Sequence, residues 1–254
     1  EVIDAKNREL FKQLKAVLLP EIEIVQMKYG NQLQFGTVYN YDEEYRPKLF
    51  KRLREFVWQE PIHEMVRLDP IVYDRDIVTT HLPQSNHAPR DLRNFRKQIQ
   101  EGRVLSRRLR NMYARELLIL GIAEELDAAS EYFMKVAADP ECSMEEIMEA
   151  CCVVAGGARL RGDMITFFKY ANKVLIGGSN SEICMEMGHF YAEQQDWEEA
   201  AMWFYNAVYE TEPILVLEAG RRKSLEGLIT CYEKLGLLEQ VTFYQEELQR
   251  LSKE

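Results

Sequence analysis

The 254-residue chain has no apolar run approaching the roughly 20 residues that a membrane-spanning helix needs, so no transmembrane segment is expected. It has no Cys-x-x-Cys pair. Its five cysteines (Cys142, Cys151, Cys152, Cys184 and Cys231) are odd in number, and each stands in an apolar helical context. That excludes a disulfide-framed miniprotein and a cysteine zinc site, and reads as reduced, buried thiols in a cytoplasmic protein. The four histidines lack the His-Glu-x-x-His spacing. The opening residues Glu1 to Lys6 have neither the basic start nor the apolar stretch of a secretory signal. They also lack Met, which reads as a fragment or a processed chain. Proline nearly vanishes past residue 90: six of the eight precede it, and only Pro140 and Pro213 follow.

What is present is an ordinary globular mix, 46% hydrophobic and 29% charged. The net charge of −10 is uneven. Residues 1–100 carry 16 basic and 15 acidic side chains, and the remainder carries 16 and 27, so the balances are +1 and −11. A chain built to bind nucleic acid would be basic, so nucleic acid is not an expected partner.

Two regions follow from the patterning, 1–89 and 90–254. In the first, Lys6 to Leu18 spaces Leu10, Phe11, Leu14, Val17 and Leu18 as one helical face, with Asp4 placed to cap it and Pro20 just beyond. Ile22 to Met27, Thr37 to Tyr39, Leu49 to Lys51, Phe56 to Trp58 and Ile71 to Thr80 are β-branched and aromatic, and predict strands. Gly30-Asn31 and Leu82 to Asn86 predict turns. The second region reads as helix after helix. The fold class is therefore α+β, mostly α.

One helical segment stands out, Ser181 to Pro213. Gly188, Tyr191, Asp196, Trp197, Ala200, Phe204 and Ala207 fall at the small and large positions of a tetratricopeptide repeat. Gly188 and Ala200 would let two helices approach, with Tyr191, Trp197 and Phe204 filling the groove. Weaker copies around Ala123 to Leu126, Arg161 to Met164 and Leu235 to Leu238 put turns near 125, 163, 196 and 237, which predicts about four hairpins in a solenoid. A peptide or another protein is the partner such an array offers to hold. Its Met, Tyr and Phe residues at helical spacing read as core.

The chemistry-bearing segment is Arg54 to Val66. An aromatic strand leads to a turn at Pro61 that presents His63 beside Glu64. An imidazole next to a carboxylate can ligate a divalent metal or act as a general base. The basic stretch Arg90 to Arg110 reads as a solvated helix face, with Arg107 and Arg108 as the alternative handles for an anionic ligand.

The order of these segments resembles the second half of the catalytic domain of bacterial family-2 glycosyltransferases that carry tetratricopeptide-like repeats. In that family an Asp-x-Asp motif is followed by Glu-Val-(Ile/Leu)-Asp/Glu and a helix, matched here by Glu1 to Glu9. A short strand follows, loosely matched by Ile22 to Met27. A tyrosine-rich loop then leads to an arginine and a strand, here Tyr45-Arg46-Pro47-Lys48-Leu49-Phe50. The series closes with Trp-x-Gly-x-(Val/Ile)-His-Glu, here Trp58 to Glu64, with Glu60 in place of the glycine and so a slightly different turn expected. His81 matches a later strand-end histidine.

The resemblance implies a GT-A-like α/β segment that starts just after the Asp-x-Asp and the nucleotide-binding strands, so this chain alone would be inactive. It implies an inverting transfer from a nucleotide sugar to a sugar or protein acceptor, with Mn²⁺ or Mg²⁺ expected in the intact enzyme. It makes Glu64 the candidate base, His63 a candidate catalytic residue and metal or diphosphate ligand, and Arg46 and Trp58 substrate-side residues. Trp58, as a strand tryptophan, is more readily expected to be buried. An unpaired sheet edge predicts either a homodimer or a partly disordered strand region. The alternative to the enzyme is a non-enzymatic repeat scaffold.

Overall fold

The computed structural model describes residues 2–30, 44–69, 71–80 and 88–251. The strand expected at Thr37 to Tyr39, the turn at Leu82 to Asn86 and His81 lie outside them. The protein is α+β and mostly α. It divides into two compact units, Glu1–Phe95 and Arg96–Glu254.

The first unit is a three-stranded sheet backed by one helix. Helix α1 (Ala5–Val17) begins where Asp4 Oδ1 accepts from Asn7 N at 2.7 Å. Strand β1 (Ile24–Gly30) is central, antiparallel to β2 (Glu44–Phe50) and parallel to β5 (Val72–Thr80). It runs to Gly30, beyond the strand expected over Ile22 to Met27, and Asn31 of the expected Gly30-Asn31 turn lies outside the described residues. Pro47 sits in β2, beside the register shift between Val25 and Gln26. β2 pairs through β1 alone among the described strands, and such a strand tolerates a residue without an N–H donor.

Alternation sorts the two faces. Val25, Met27 and Ile77 pack with Leu14, Phe11 and Leu10 of α1. Opposite, Lys28 and Tyr45 meet Asp76 at 3.1 and 2.6 Å, and Gln26 meets Asp74 at 3.0 Å. Accepting from Tyr45 and Lys28 lowers the Asp76 carboxyl below its usual range. The β1–β5 register jumps between Met27 and Lys28, and buried Asn7 accepts from the Val78 N–H there at 2.9 Å. A short hairpin, β3 (Trp58–Gln59) and β4 (Met65–Val66), follows β2 in sequence.

Helix α2 (Ala88–Gln100) contains the Phe95/Arg96 division, and Glu101 to Ser106 separate it from α3 (Arg107–Leu120). The second unit continues through α4 (Ala123–Val136), α5 (Met144–Leu160), α6 (Met164–Gly177), α7 (Ser181–Glu193), α8 (Trp197–Tyr205), α9 (Arg222–Leu235) and α10 (Leu238–Leu251). The breaks at Arg161 to Asp163, Gln194 to Asp196 and Gly236-Leu237 fall at turns expected from the sequence. The turn expected near 125 falls earlier, at Gly121-Ile122, and Ala123 to Leu126 open α4. Side-chain caps start five of these helices: Ser106, Ser143 with a reciprocal Glu146 box, Asp163, Asn180 and Asp196.

Sequential helices pack (α4 on α5, α5 on α6, α7 on α8, α8 on α9, α9 on α10), and so do alternate ones (α3 on α5, α5 on α7, α7 on α9). Phe204 of α8 is 1% exposed and lies between two glycines. A Cβ on Gly188 of α7 would meet its ring at 2.8 Å, and one on Gly227 of α9 at 2.7 Å. The glycines are there because no larger residue lets three helices close on that ring. Four of the five cysteines are buried and Cys142 is half-buried, all as free thiols. Burial raises the thiols of Cys151 and Cys231 to about 11, which makes them inert apolar fillers.

Candidate functional site

The β3–β4 hairpin carries His63 and Glu64. Trp58 pairs with Val66 and Gln59 with Met65, so Glu60 to Glu64 form the closing loop. Ile62 is 4% exposed and anchors that loop, as Val66 anchors the strand behind it. Two non-glycine residues of the loop are left-handed, Glu60 at φ 70° and His63 at φ 51°. A side chain in that region costs about 1 kcal/mol, and such conformations persist where the surroundings fix them. Glu60 occupies the glycine position of the Trp-x-Gly-x-(Val/Ile)-His-Glu pattern. Glu60 adopts a left-handed conformation that glycine takes without strain.

His63 is half-buried, its ring 6.1 Å from that of fully buried Phe95 on α2. Glu64 is exposed. The imidazole is thus held by packing while the carboxylate next to it faces water. Trp58 departs from the buried strand tryptophan expected: it is 57% exposed, because β3 is too short to place it under a second layer. Its ring lies 5.6 Å from Phe50, which meets Phe56 at 5.4 Å, so the three form a surface aromatic cluster.

Arg46 is on β2. It is bonded to Glu44, and its guanidinium lies 4.6 Å from the centre of the Tyr29 ring; Lys48 lies 4.1 Å from the same ring. The structure gives Arg46 a place on the sheet rather than in the His63 loop. Arg107 and Arg108 open α3. Arg107 pairs with Glu145 of α5, and Arg108 is half-buried. Arg110 is bonded to Glu146, and Arg96 lies 3.2 Å from Glu125. Arg90, Lys97, Arg103 and Arg107 are each more than half exposed, so much of the stretch is the solvated face expected, with Arg96, Arg107 and Arg110 tied to acids of neighbouring helices.

Metal ligation has little support in these side chains. Among the described residues no group of three or more His, Cys, Asp or Glu is arranged to hold an ion. His63 and Glu64 alone fall short of the ligand set that a divalent cation takes.

Sequence reasoning missed the buried polar network of the helical unit. Arg159 of α5 is bonded to Glu186 at 2.5 Å and to Glu193, both on α7. Gly156, one turn earlier, leaves room for the Glu186 carboxylate and for Leu118 of α3. Glu149 of α5 accepts from Asn111 of α3 at 2.6 Å, and burial pushes its carboxyl up to about 7. His189 is held below its ordinary value by burial, its ring edge-on to Phe204 at 5.1 Å. Glu182 of α7, 3% exposed, accepts the backbone N–H groups of Ile214, Leu215 and Val216 at 3.1, 2.7 and 2.8 Å. The chain after Pro213 is thereby locked to α7. Helical spacing marks which residues turn inward, but it does not say which inward polar residue finds its partner on another helix.

Comparison with known family descriptions and with curated proteins finds no match for this chain.

Proposed function

We propose that this protein is the acceptor-side portion of an inverting glycosyltransferase of the GT-A type, joined to a tetratricopeptide-like array of helical hairpins. The observation that carries the reading is the loop between β3 and β4. Its tryptophan, its left-handed residue at the glycine position, and its His-Glu pair occur in the family's order. Among the described residues, both non-glycine left-handed positions outside the helical unit fall within it. In this reading Glu64 takes the proton from the acceptor hydroxyl as that oxygen attacks the anomeric carbon. His63, fixed against Phe95, faces the negative charge that develops on the departing diphosphate. Trp58 offers its exposed ring to the acceptor. A nucleotide sugar is the donor, and Mn²⁺ or Mg²⁺ is the expected cofactor of the intact enzyme, bound by residues other than those described.

The test is nucleotide release from a panel of sugar nucleotides by the full-length protein with Mn²⁺ or Mg²⁺ added. His63→Ala should lower turnover by roughly a hundredfold with the fold unchanged. Near-normal turnover in that variant removes His63 from the site.

A second reading, an interaction scaffold without catalysis, is favoured by a cavity of about 360 Å³ in the helical unit. Val208, Tyr209, Arg221, Leu225, Glu247 and Arg250 line it, a mixture suited to one anchoring side chain of a peptide. Absence of nucleotide release across the panel, with a folded full-length protein, moves the assignment to this reading.

A further inference from the structure

Outside the His63 loop, the most unusual surface of the first unit is one end of its sheet. β1 begins there, β2 ends and β5 begins: Ile24 stands opposite both Phe50 and Val72. Backbone bonds tie the neighbouring segments to the same end. Glu23 N donates to Ile71 O at 3.0 Å, Lys51 N to Glu23 O at 2.9 Å, and Ile22 N to Leu19 O at 3.2 Å. The side chains gathered there are apolar and uncovered. Leu53 is 90% exposed, Leu19 61%, Trp58 57%, Ile71 57%, Val57 52% and Phe50 36%. A patch of this kind in a folded chain marks an interaction surface.

Its chemistry narrows the occupant. Leu53 stands at the apex of a turn, flanked by Lys51, Arg52 and Arg54, and projects beyond its neighbours instead of lying in a flat face. The stretch Lys51 to Arg54 holds three cations and no acid, whereas Arg46 and Lys48 reach back to Tyr29, towards the other end of β1. Lys51 reaches the Pro20 carbonyl at 2.7 Å and Arg54 neutralises Glu23 at 3.2 Å, so the cations are fixed around the apolar tip. Lys15, in the last turn of α1, adds another. Against Lys15, Lys51, Arg52 and Arg54 stand Glu21, Glu23 and Glu55, which leaves an excess of one positive charge. Protruding Leu and Ile, a Trp beside them and Lys or Arg at the base are what a protein puts into the headgroup layer of a bilayer. Among the described residues no helix is long and apolar enough to cross one, so the contact would be at the surface.

We propose that this end of the sheet is a membrane-surface contact that seats Leu53, Trp58 and Ile71 among the headgroups of a bilayer containing anionic lipid. Trp58 is shared with the glycosyltransferase reading, but Leu53 and its flanking cations lie outside the His63 loop, so the test is made at those residues and its readout needs no turnover.

The experiment is co-sedimentation of the full chain with vesicles of phosphatidylcholine, with and without phosphatidylglycerol, alongside sedimentation velocity without lipid. Binding is expected, tighter with phosphatidylglycerol and weakened by salt. Leu53→Asp, at a position too exposed to disturb folding, should weaken it by about tenfold or more. Lys51→Glu/Arg52→Glu should abolish the preference for the anionic vesicles. A wild-type protein that stays in the supernatant with both vesicle types overturns the proposal. So does a concentration-dependent dimer that Leu53→Asp dissociates, which would make the patch an interface between two copies.

Discussion

The two units differ in how much apolar surface they leave outside. In the helical unit Tyr113, Phe133, Phe167 and Phe204 are all at 2% exposure or less, although Tyr205, Tyr209 and Phe243 stay on the surface. In the sheet unit Leu14, Ile24, Val25, Met27 and Ile77 make a compact core, yet Leu53, Trp58 and Ile71 remain outside. Geometry accounts for this. An inner helix such as α5 or α7 has neighbours on several sides, so residues around much of its circumference are covered. A three-stranded sheet with one backing helix covers one face, and its ends are left to whatever else arrives. Among the described residues each unit exposes twelve large apolar side chains, so they are denser in the smaller sheet unit.

The sharpest way to break the comparison is at Phe204. Phe204→Ala should destabilise the helical unit by about 4 kcal/mol, because two glycines have already brought three helices onto the ring and cannot collapse further into the void. Gly227→Ala provides a sign test. Helix propensity alone makes it stabilising by about 1 kcal/mol. The 2.7 Å approach to the ring makes it destabilising by about 2 kcal/mol. Thermal unfolding followed by the helical circular dichroism signal separates the two; a raised midpoint for Gly227→Ala would show that the ring has room to move.

Next in size is Glu182. Its carboxylate is the acceptor for three consecutive backbone N–H groups after Pro213. Glu182→Ala should cost about 3 kcal/mol, since those donors would be buried with nothing to accept from them. Hydrogen exchange at Ile214, Leu215 and Val216 should accelerate before the helices on either side lose protection. Uniform acceleration across the helical unit would mean that the segment is held by packing and not by the carboxylate.

How much of this was legible beforehand differs between the units for the same physical reason. Three of the helical turns were readable because Gly236 and the capping Asp163 and Asp196 punctuate the pattern, whereas the turn at Gly121 was expected a few residues later. The Gly188–Phe204 contact was readable because small and large residues recur at fixed spacing. Glu182, Arg159 and Glu149 were not, because a buried charge is defined by a partner far away in sequence and periodicity carries no trace of it. In the sheet unit α1 and its Asp4 cap were legible, and β1, β3 and β5 were placed within a few residues, whereas β2 begins five residues before the run expected at Leu49 and β4 was not expected. The exposure of Trp58 was not, since a strand tryptophan looks the same in sequence whether or not a second layer covers it. His63 and Glu64 were found by their order behind Trp58; that one is half-buried and the other exposed is a property of the loop's left-handed residues.

A smaller effect tests the charge side of the helical core. Glu149 titrates near 7 because burial opposes its ionisation, whereas in the unfolded chain it loses its proton in the ordinary carboxylate range. Between those values the folded state binds more protons than the unfolded one. Stability therefore falls as pH rises from about 4.5 through 7, and the whole cost is present above 7. Glu149→Gln keeps an acceptor for Asn111 and removes the charge, so it should stabilise by about 2 kcal/mol at pH 8 and by almost nothing at pH 4. Urea midpoints at the two pH values measure it. An equal effect at both would assign the gain to packing and not to ionisation.

The smallest expected effect lies in the sheet unit, at Glu60. With φ at 70° its side chain sits in a region where glycine is at no disadvantage, so Glu60→Gly should relieve about 1 kcal/mol of folded-state strain. Glycine also gives the unfolded chain more freedom, which offsets roughly half of that. The net expectation is a gain of about 0.5 kcal/mol, small because the two terms oppose each other. Glu60→Ala keeps the strain and should gain nothing, so the pair of variants isolates the backbone conformation from loss of the carboxylate. Equal behaviour of the two, read as amide exchange in the loop from Glu60 to Glu64, would show that the left-handed turn is not what holds His63 beside Glu64.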